Sequence, residues 1–524
     1  MAEYPPAPLD RPSDRGAETE RDMRDLAQGA LMSFVGRLGR ISRGAFLWIV
    51  PVLYGLDVLG QYTITWGVIA VLSCLGRFGM QRGVLRFVVE GRAAGDERRV
   101  EAVLAAGLSL CLVMSLLTTA GIYLAADWIA AAYDLPSTSA LRIMAWTCPL
   151  MNLGWALLAA TRALRIMRYE VYAMSIWGPL VLLLGALVAS PFHLGLDGVA
   201  WAQLAMAIAC FALGLYYFTR HFSLLRCFRR LPSRSVWREL IRFSIPVTAT
   251  DLLSSTLTQL DALMLGWFVA DERVALFRLA RLIASVLLKA PQAFDPIFSP
   301  VVSELAFQRR FTELKHRFVA ISRWVLIINL PIGAGILIVA DQLLGWQAGK
   351  ELASLGSAEM TVGLQVLLLL CAGTMVQSAF ALAEPLLIMT GKPVLNLLNN
   401  GLWLATNFLL NLWLIDRLGL LGAAIGAVVA ILLVNGLRLL QVYLIHRIHP
   451  FDRTLAKPAL AAAIAAVVGW CIHHGLAGGL AAMFGALAAF LAIYVLLLAV
   501  LGPEPDDRRL LTRFWSRARR LGRE

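Results

Sequence analysis

Charged residues are what this chain has least of. Only 15% of its 524 residues are Asp, Glu, Lys or Arg, while 59% are hydrophobic; a soluble chain carries about a quarter charged and roughly 45–50% apolar. So few charges cannot cover a surface in water, which sets aside soluble enzymes and disordered scaffolds. Cysteine is sparse as well. Cys74, Cys111, Cys148, Cys210, Cys227, Cys371 and Cys471 are scattered, all but Cys227 in apolar runs and none at CxxC spacing, so they read as small core residues and not as a disulfide framework or zinc site. Motifs of soluble chemistry are missing. Gly391-Lys392 has Leu386 where a phosphate loop needs its first Gly and Pro393 where it needs Ser or Thr, and neither HExxH nor GxSxG occurs. The pair His473-His474 falls in an expected outer turn with no carboxylate or thiol nearby, and is read as solvated. No cofactor, no metal and no enzyme activity are expected.

What the chain does have is long apolar runs. Bounded by charges or by Gly and Pro, they give fourteen expected membrane helices: 30–54, 59–81, 101–126, 139–161, 171–191, 198–219, 243–268, 274–303, 320–343, 361–390, 394–415, 419–445, 456–475 and 479–501. The fold class is therefore all-α integral membrane. The connections differ sharply in basic content. One alternating set carries 35 Lys or Arg, counted over the N-terminal tail, 82–100, 162–170, 220–242, 304–323, 391–393, 446–457 and the C-terminal tail, against Arg273, Lys350 and Arg417 on the other side. Basic loops stay in the cytoplasm and meet anionic headgroups, so both termini are expected there, and the net charge of +13 points to membrane lipids as partners and not to nucleic acid. Residues 1–29, polar and proline-rich and without the apolar core of a signal peptide, read as a cytoplasmic tail. Outer connections are short, leaving no room for the catalytic outer domain of a membrane glycosyltransferase or ligase.

Two segments recur at long interval. Gly60-Gln61-Tyr62 and Ala275-Leu276-Phe277 each open a span, and Leu194-Gly195-Leu196-Asp197-Gly198-Val199-Ala200 corresponds to Leu418-Gly419-Leu420-Leu421-Gly422-Ala423-Ala424. Duplicated halves follow: a six-helix bundle over 30–219, a basic linker over 220–242, a second six-helix bundle over 243–447, two extra helices over 456–501 and a basic tail over 502–524.

A set of short segments in order resembles a known family. Ala27-Gln28-Gly29-Ala30, Leu85-Arg86-Phe87-Val88 through Ala94-Gly95-Asp96, Phe243-Ser244-Ile245-Pro246, Leu260 to Gly266, Ser299 to Leu305, Met389-Thr390-Gly391-Lys392-Pro393 and Leu418 to Ala424 are similar to the bacterial polysaccharide transporter family of repeat-unit flippases, within the multidrug/oligosaccharidyl-lipid/polysaccharide superfamily. The resemblance implies two bundles around a central cavity that opens alternately to each side. It also implies an undecaprenyl-pyrophosphate-linked oligosaccharide as substrate, made for O-antigen, capsule or exopolysaccharide in the bacterial inner membrane. Phe277-Arg278-Leu279-Ala280 departs from the family's Tyr-x-x-Ala by inserting a charge.

Charge buried in the bilayer needs a cavity, a partner or a function, because each basic side chain there costs about 2.5–3.5 kcal/mol. The first span includes Arg37, Arg40 and Arg43, roughly 10–20 Å into the membrane at 1.5 Å per residue. In the eighth, Arg278, Arg281 and Lys289 fall within an arc of about 80° on a continuous α-helix. These six are the candidates to bind the pyrophosphate or acidic sugars. For Arg281 an ion pair with Asp261, at similar depth in the seventh span, is the competing reading, and outward snorkelling is that for Arg278. Asp251, Asp295 and Glu384 are the candidates for an H+ or Na+ counter-ion. The function read from all this is a flippase for lipid-linked oligosaccharide, handing its product to a polysaccharide polymerase. The alternative is a cation-coupled small-molecule or drug exporter of the same superfamily, against which the basic stripes argue.

Overall fold

A computed structural model describes residues 41–164, 166–229, 232–345, 357–450, 452–475 and 480–502, and among these the regular structure is entirely helical. The chain forms two compact units, Met1–Ser255 and Thr256–Glu524.

In the first unit the helices are α1 (Ile41–Tyr54), α2 (Leu56–Arg77), α3 (Met80–Ala93), α4 (Glu97–Ala132), α5 (Ser139–Ala145), α6 (Thr147–Ala163), α7 (Gly178–Ala189, entered through a π-helical turn Val171–Trp177), α8 (Gly195–Thr219) and α9 (Leu224–Arg229). Helix α10 (Arg234–Phe268) carries the boundary. The second unit holds α11 (Asp271–Ala284), α12 (Lys289–Phe307), α13 (Phe311–Ile338), α14 (Ser357–Phe380), α15 (Ala383–Met389), α16 (Pro393–Leu418), α17 (Leu420–His446), α18 (Ala456–Gly475) and α19 (Leu480–Leu501).

Among the described residues ten helical stretches are long and apolar enough to cross a membrane, and the protein is a multi-pass membrane protein. Leu117, Leu124 and Val188 stand exposed on such helices, the reverse of a surface made for water. Of the fourteen expected spans, the other four positions are also helical among the described residues, as α1, α10, α11 with α12, and α16, residues 30–40 of the first span lying outside them. The described part of α1 is apolar but short, whereas α10, α11, α12 and α16 carry internal charges, prolines or asparagines, which dilute their apolarity.

Equivalent positions of the two recurring segments share local backbone features. Gly60 lies four residues after the start of α2 and Ala275 four after the start of α11. Gly195 and Gly419, equivalent in the repeat, both have positive φ, 53° and 55°, with open space around a would-be Cβ, so backbone conformation and not crowding requires glycine there. Crowding rules three residues on. A Cβ at Gly422 would lie 2.1 Å from the Leu414 carbonyl oxygen of α16, and two packed backbones cannot yield that much. We expect Gly422→Ala to destabilise the protein by about 3 kcal/mol, the upper end for overpacking, and to lower its thermal midpoint in detergent. Gly436→Ala on the same helix, with nothing within 4 Å, should leave that midpoint unchanged or raise it.

Part of the basic linker 220–242 packs against the helices. Its apolar residues Cys227 and Leu240 join the core built from α3, α4 and α6, and α10 starts at Arg234, inside it. Burial, with Glu101 nearby, pushes the Cys227 thiol up to about 11. Its thiolate is therefore scarce at pH 7.5, and a maleimide should leave Cys227 unlabelled until the pH approaches 11 or the protein is unfolded. Mass spectrometry of the labelled peptide reads the outcome. His473 also differs from expectation. Helix α18 runs on to Gly475, and His473 is buried with its Nε2 2.9 Å from Gln342 Nε2.

Candidate functional site: buried charge in the helices

In the first unit the break between α2 and α3, at Phe78 and Gly79 with φ of 45° and 65°, places a run of cations beside specific partners. Arg82 pairs with Asp251 at 3.0 Å, and Arg86 with Glu90 at 2.8 Å. Arg77 Nε lies 3.5 Å from Asn152 Oδ1. Asp251 is thus engaged by a cation of its own unit. Arg43 falls in the first turn of α1; its side chain, like all of Arg37 and Arg40, lies outside the described residues.

In the second unit a proline sets the local geometry. Pro291 offers no N–H to the carbonyl four residues back, and Asn329 Nδ2 takes up that Leu287 oxygen at 2.7 Å. The helix tightens into a 3-10 turn at Ser285–Leu288. This corrects the expected stripe. A 3-10 turn advances about 120° per residue instead of 100°, so four such residues swing Lys289 about 80° away from the face it would share with Arg278 and Arg281 on an unbroken α-helix. Arg278 is half-buried on α11 and Lys289 opens α12 exposed. The side chain of Asp295 lies outside the described residues.

Two polar clusters stand out, both built on one face of α16. In the first, Asp261 of α10, only 1% exposed, forms an ion pair with Arg281 of α11. The other carboxylate oxygen of Asp261 accepts from Asn407 Nδ2 at 2.7 Å and Asn411 Nδ2 at 3.0 Å. Gly426 of α17 makes room for this arrangement, since a Cβ there would lie 2.4 Å from Asn411 Oδ1. In the second, Glu384 of α15 meets Arg438 of α17 at 3.1 Å and accepts from Asn396 Nδ2 at 3.0 Å. Arg438 also donates to Asn396 Oδ1 at 3.1 Å and Asn400 Oδ1 at 2.7 Å. Beside it Asn399 and Gln441 exchange both amide bonds, at 2.8 and 3.0 Å.

Arg438 and the asparagines were not among the sequence candidates. A signal existed: at 100° per residue Asn396, Asn400, Asn407 and Asn411 fall within about 60° of one helix face.

The profile of a family described as polysaccharide biosynthesis protein matches residues 57–353, more than half of the chain. The chain belongs to that family. No curated protein sequence matches it, but solved structures share the fold of this polysaccharide biosynthesis protein. The lipid II flippase MurJ in an inward closed conformation aligns with a TM-score of 0.72 at 12% identity, over 90% of this chain and 98% of its own. An inward-facing multidrug resistance MATE family transporter of the MOP superfamily aligns at 0.66 and 15% identity, over 78% and 93%. A MOP superfamily transporter from Pyrococcus furiosus, described by a binding pocket of reverse polarity, aligns at 0.56 and 15% identity, over 80% and 95%.

Proposed function

We propose that this polysaccharide biosynthesis protein is a flippase that carries a lipid-linked oligosaccharide, of the undecaprenyl-pyrophosphate type, from the inner to the outer leaflet of the bacterial inner membrane. The observation that carries the reading is the conjunction of family and fold: a polysaccharide biosynthesis chain shares its fold with a lipid II flippase over 90% of its length. The physical problem fits the charge pattern. A pyrophosphate headgroup cannot enter hydrocarbon unassisted, so a carrier must supply cations inside the membrane while the polyprenyl tail remains in lipid. Arg37, Arg40, Arg43, Arg278, Arg281 and Lys289 are assigned that role. Arg281 acts from within its pair with Asp261 and would have to exchange partners to do so.

In this reading the halves 30–219 and 243–447 work by alternating access, both termini are cytoplasmic, and the product passes to a polymerase for O-antigen, capsule or exopolysaccharide. An H+ or Na+ counter-ion would act at Asp251, Asp295 or Glu384. Fold likeness to MATE transporters supports such coupling and favours the second reading, a cation-coupled exporter of small molecules.

Deleting the protein from its host separates the two. A flippase deletion leaves lipid-linked repeat units intact and accumulated on the cytoplasmic leaflet. Unchanged surface polysaccharide with raised drug sensitivity would instead indicate the exporter.

A further inference from the structure

The second unit holds a cavity of about 320 Å³, within the roughly 300–1,000 Å³ of small-ligand sites. At roughly 30 Å³ per water it has room for about ten. Its polar wall is formed by Glu384, Arg438, Asn435, Gln292 and Gln377. Arg438, on an apolar helix, is not among the six sequence candidates for substrate binding, although the cavity wall includes Leu288 and Pro291 on either side of Lys289.

The side chain of Arg438 is 5% exposed. Its three contacts, to Glu384, Asn396 and Asn400, all use Nη2. Among the described residues Nη1 and Nε have no partner, and Nε is buried. A guanidinium offers five N–H donors in a planar fork matched to two oxygens of one anion, so a buried fork engaged through a single nitrogen is under-used. Its one ionic partner is within reach of the cavity: the side chain of Glu384 is 39% exposed at the wall, where it also accepts from Asn396. Asparagine oxygens supply the other two contacts and add no negative charge. A cation would meet Arg438 already charged in the wall, whereas an oxyanion would find the unused Nη1 there and the amides of Gln292 and Gln377.

We infer that this cavity is an oxyanion subsite, in which Arg438 binds a phosphate or sugar carboxylate of the cargo and Glu384 holds the guanidinium while the cargo is absent. The identity of the cargo rests on the flippase reading; the anion chemistry of the cavity does not.

The test uses the full chain purified in detergent and titrated calorimetrically with inorganic pyrophosphate and, separately, with glucuronate. Glu384→Gln keeps the bond from Asn396 but leaves Arg438 without an ionic partner, so the fraction that elutes as the parent does should bind at least one of these anions about tenfold tighter than the unaltered protein. Arg438→Gln alone leaves Glu384 without its partner, so it is paired with Glu384→Gln. That double variant holds no unpaired charge, should elute and melt as the parent does, and should lose the gain completely. Tighter pyrophosphate assigns the subsite to the lipid diphosphate, and tighter glucuronate assigns it to an acidic sugar. Equal affinity of the parent, the Glu384→Gln variant and the double variant for both anions would overturn the inference. Because no transport is measured, that result would leave the flippase reading standing, and a failed transport assay would leave the subsite standing.

Discussion

Arg281→Ala should cost the protein its folded abundance. The change removes the ionic partner of Asp261, a carboxylate 1% exposed, and leaves the charge facing only two asparagine amides. Orphaning one member of a buried pair costs about 3–5 kcal/mol, and the lower end applies because the Arg281 side chain is 31% exposed. A loss of about 3 kcal/mol is a large part of a typical stability of roughly 5–15 kcal/mol. Fluorescence-detected size exclusion of membrane extracts should show a several-fold drop in monodisperse protein. Adding Asp261→Asn should restore it, since the amide oxygen still accepts from Asn407 and Asn411 while the unpaired charge is gone. Arg281→Ala at full abundance would mean that Asp261 has another ionic partner.

The second large effect concerns transport. Arg40→Ala, Arg43→Ala and Lys289→Ala should each lower surface polysaccharide about tenfold, the worth of one charge-assisted contact of roughly 1.5 kcal/mol, while abundance on the same blots holds. The contrast with Arg281 is the informative part, because a cation that serves the cargo and one that serves the fold fail in different assays. Arg43→Lys keeps the charge and loses the fork, so partial rescue indicates point-charge attraction and no rescue indicates bidentate contact. Full polysaccharide output from all three Ala variants would remove these residues from the site.

Much of the fold was legible because the bilayer imposes so few solutions. Length and apolarity mark the ten stretches among the described residues that are able to cross, and Gly195 and Gly419 stand where the backbone takes a positive φ that glycine adopts without strain. The Asp261–Arg281 pair was legible as a matter of depth, since both residues were placed by counting from helix ends. Contacts that need two helices to meet sideways were not. Asparagines on α16 lower its hydropathy without revealing what they contact, so their role at Asp261 and Arg438 appears only when α10, α15 and α17 pack around them. Lys289 was misplaced for a local reason: Asn329, 42 residues away, caps the carbonyl that Pro291 leaves open, and the tightened turn rotates everything after it.

Flipping itself is the most direct measurement. Purified protein is reconstituted into liposomes carrying an undecaprenyl-pyrophosphate oligosaccharide, and a membrane-impermeant oxidant of the sugar reports how much of the lipid reaches the outer leaflet. Protein-free vesicles should protect about half of the label, because the lipid starts equally divided and its charged headgroup does not cross unaided. Vesicles containing the protein should lose nearly all protection, and those with Arg43→Ala should lose it slowly. Protection of half the label at every protein density would contradict the account.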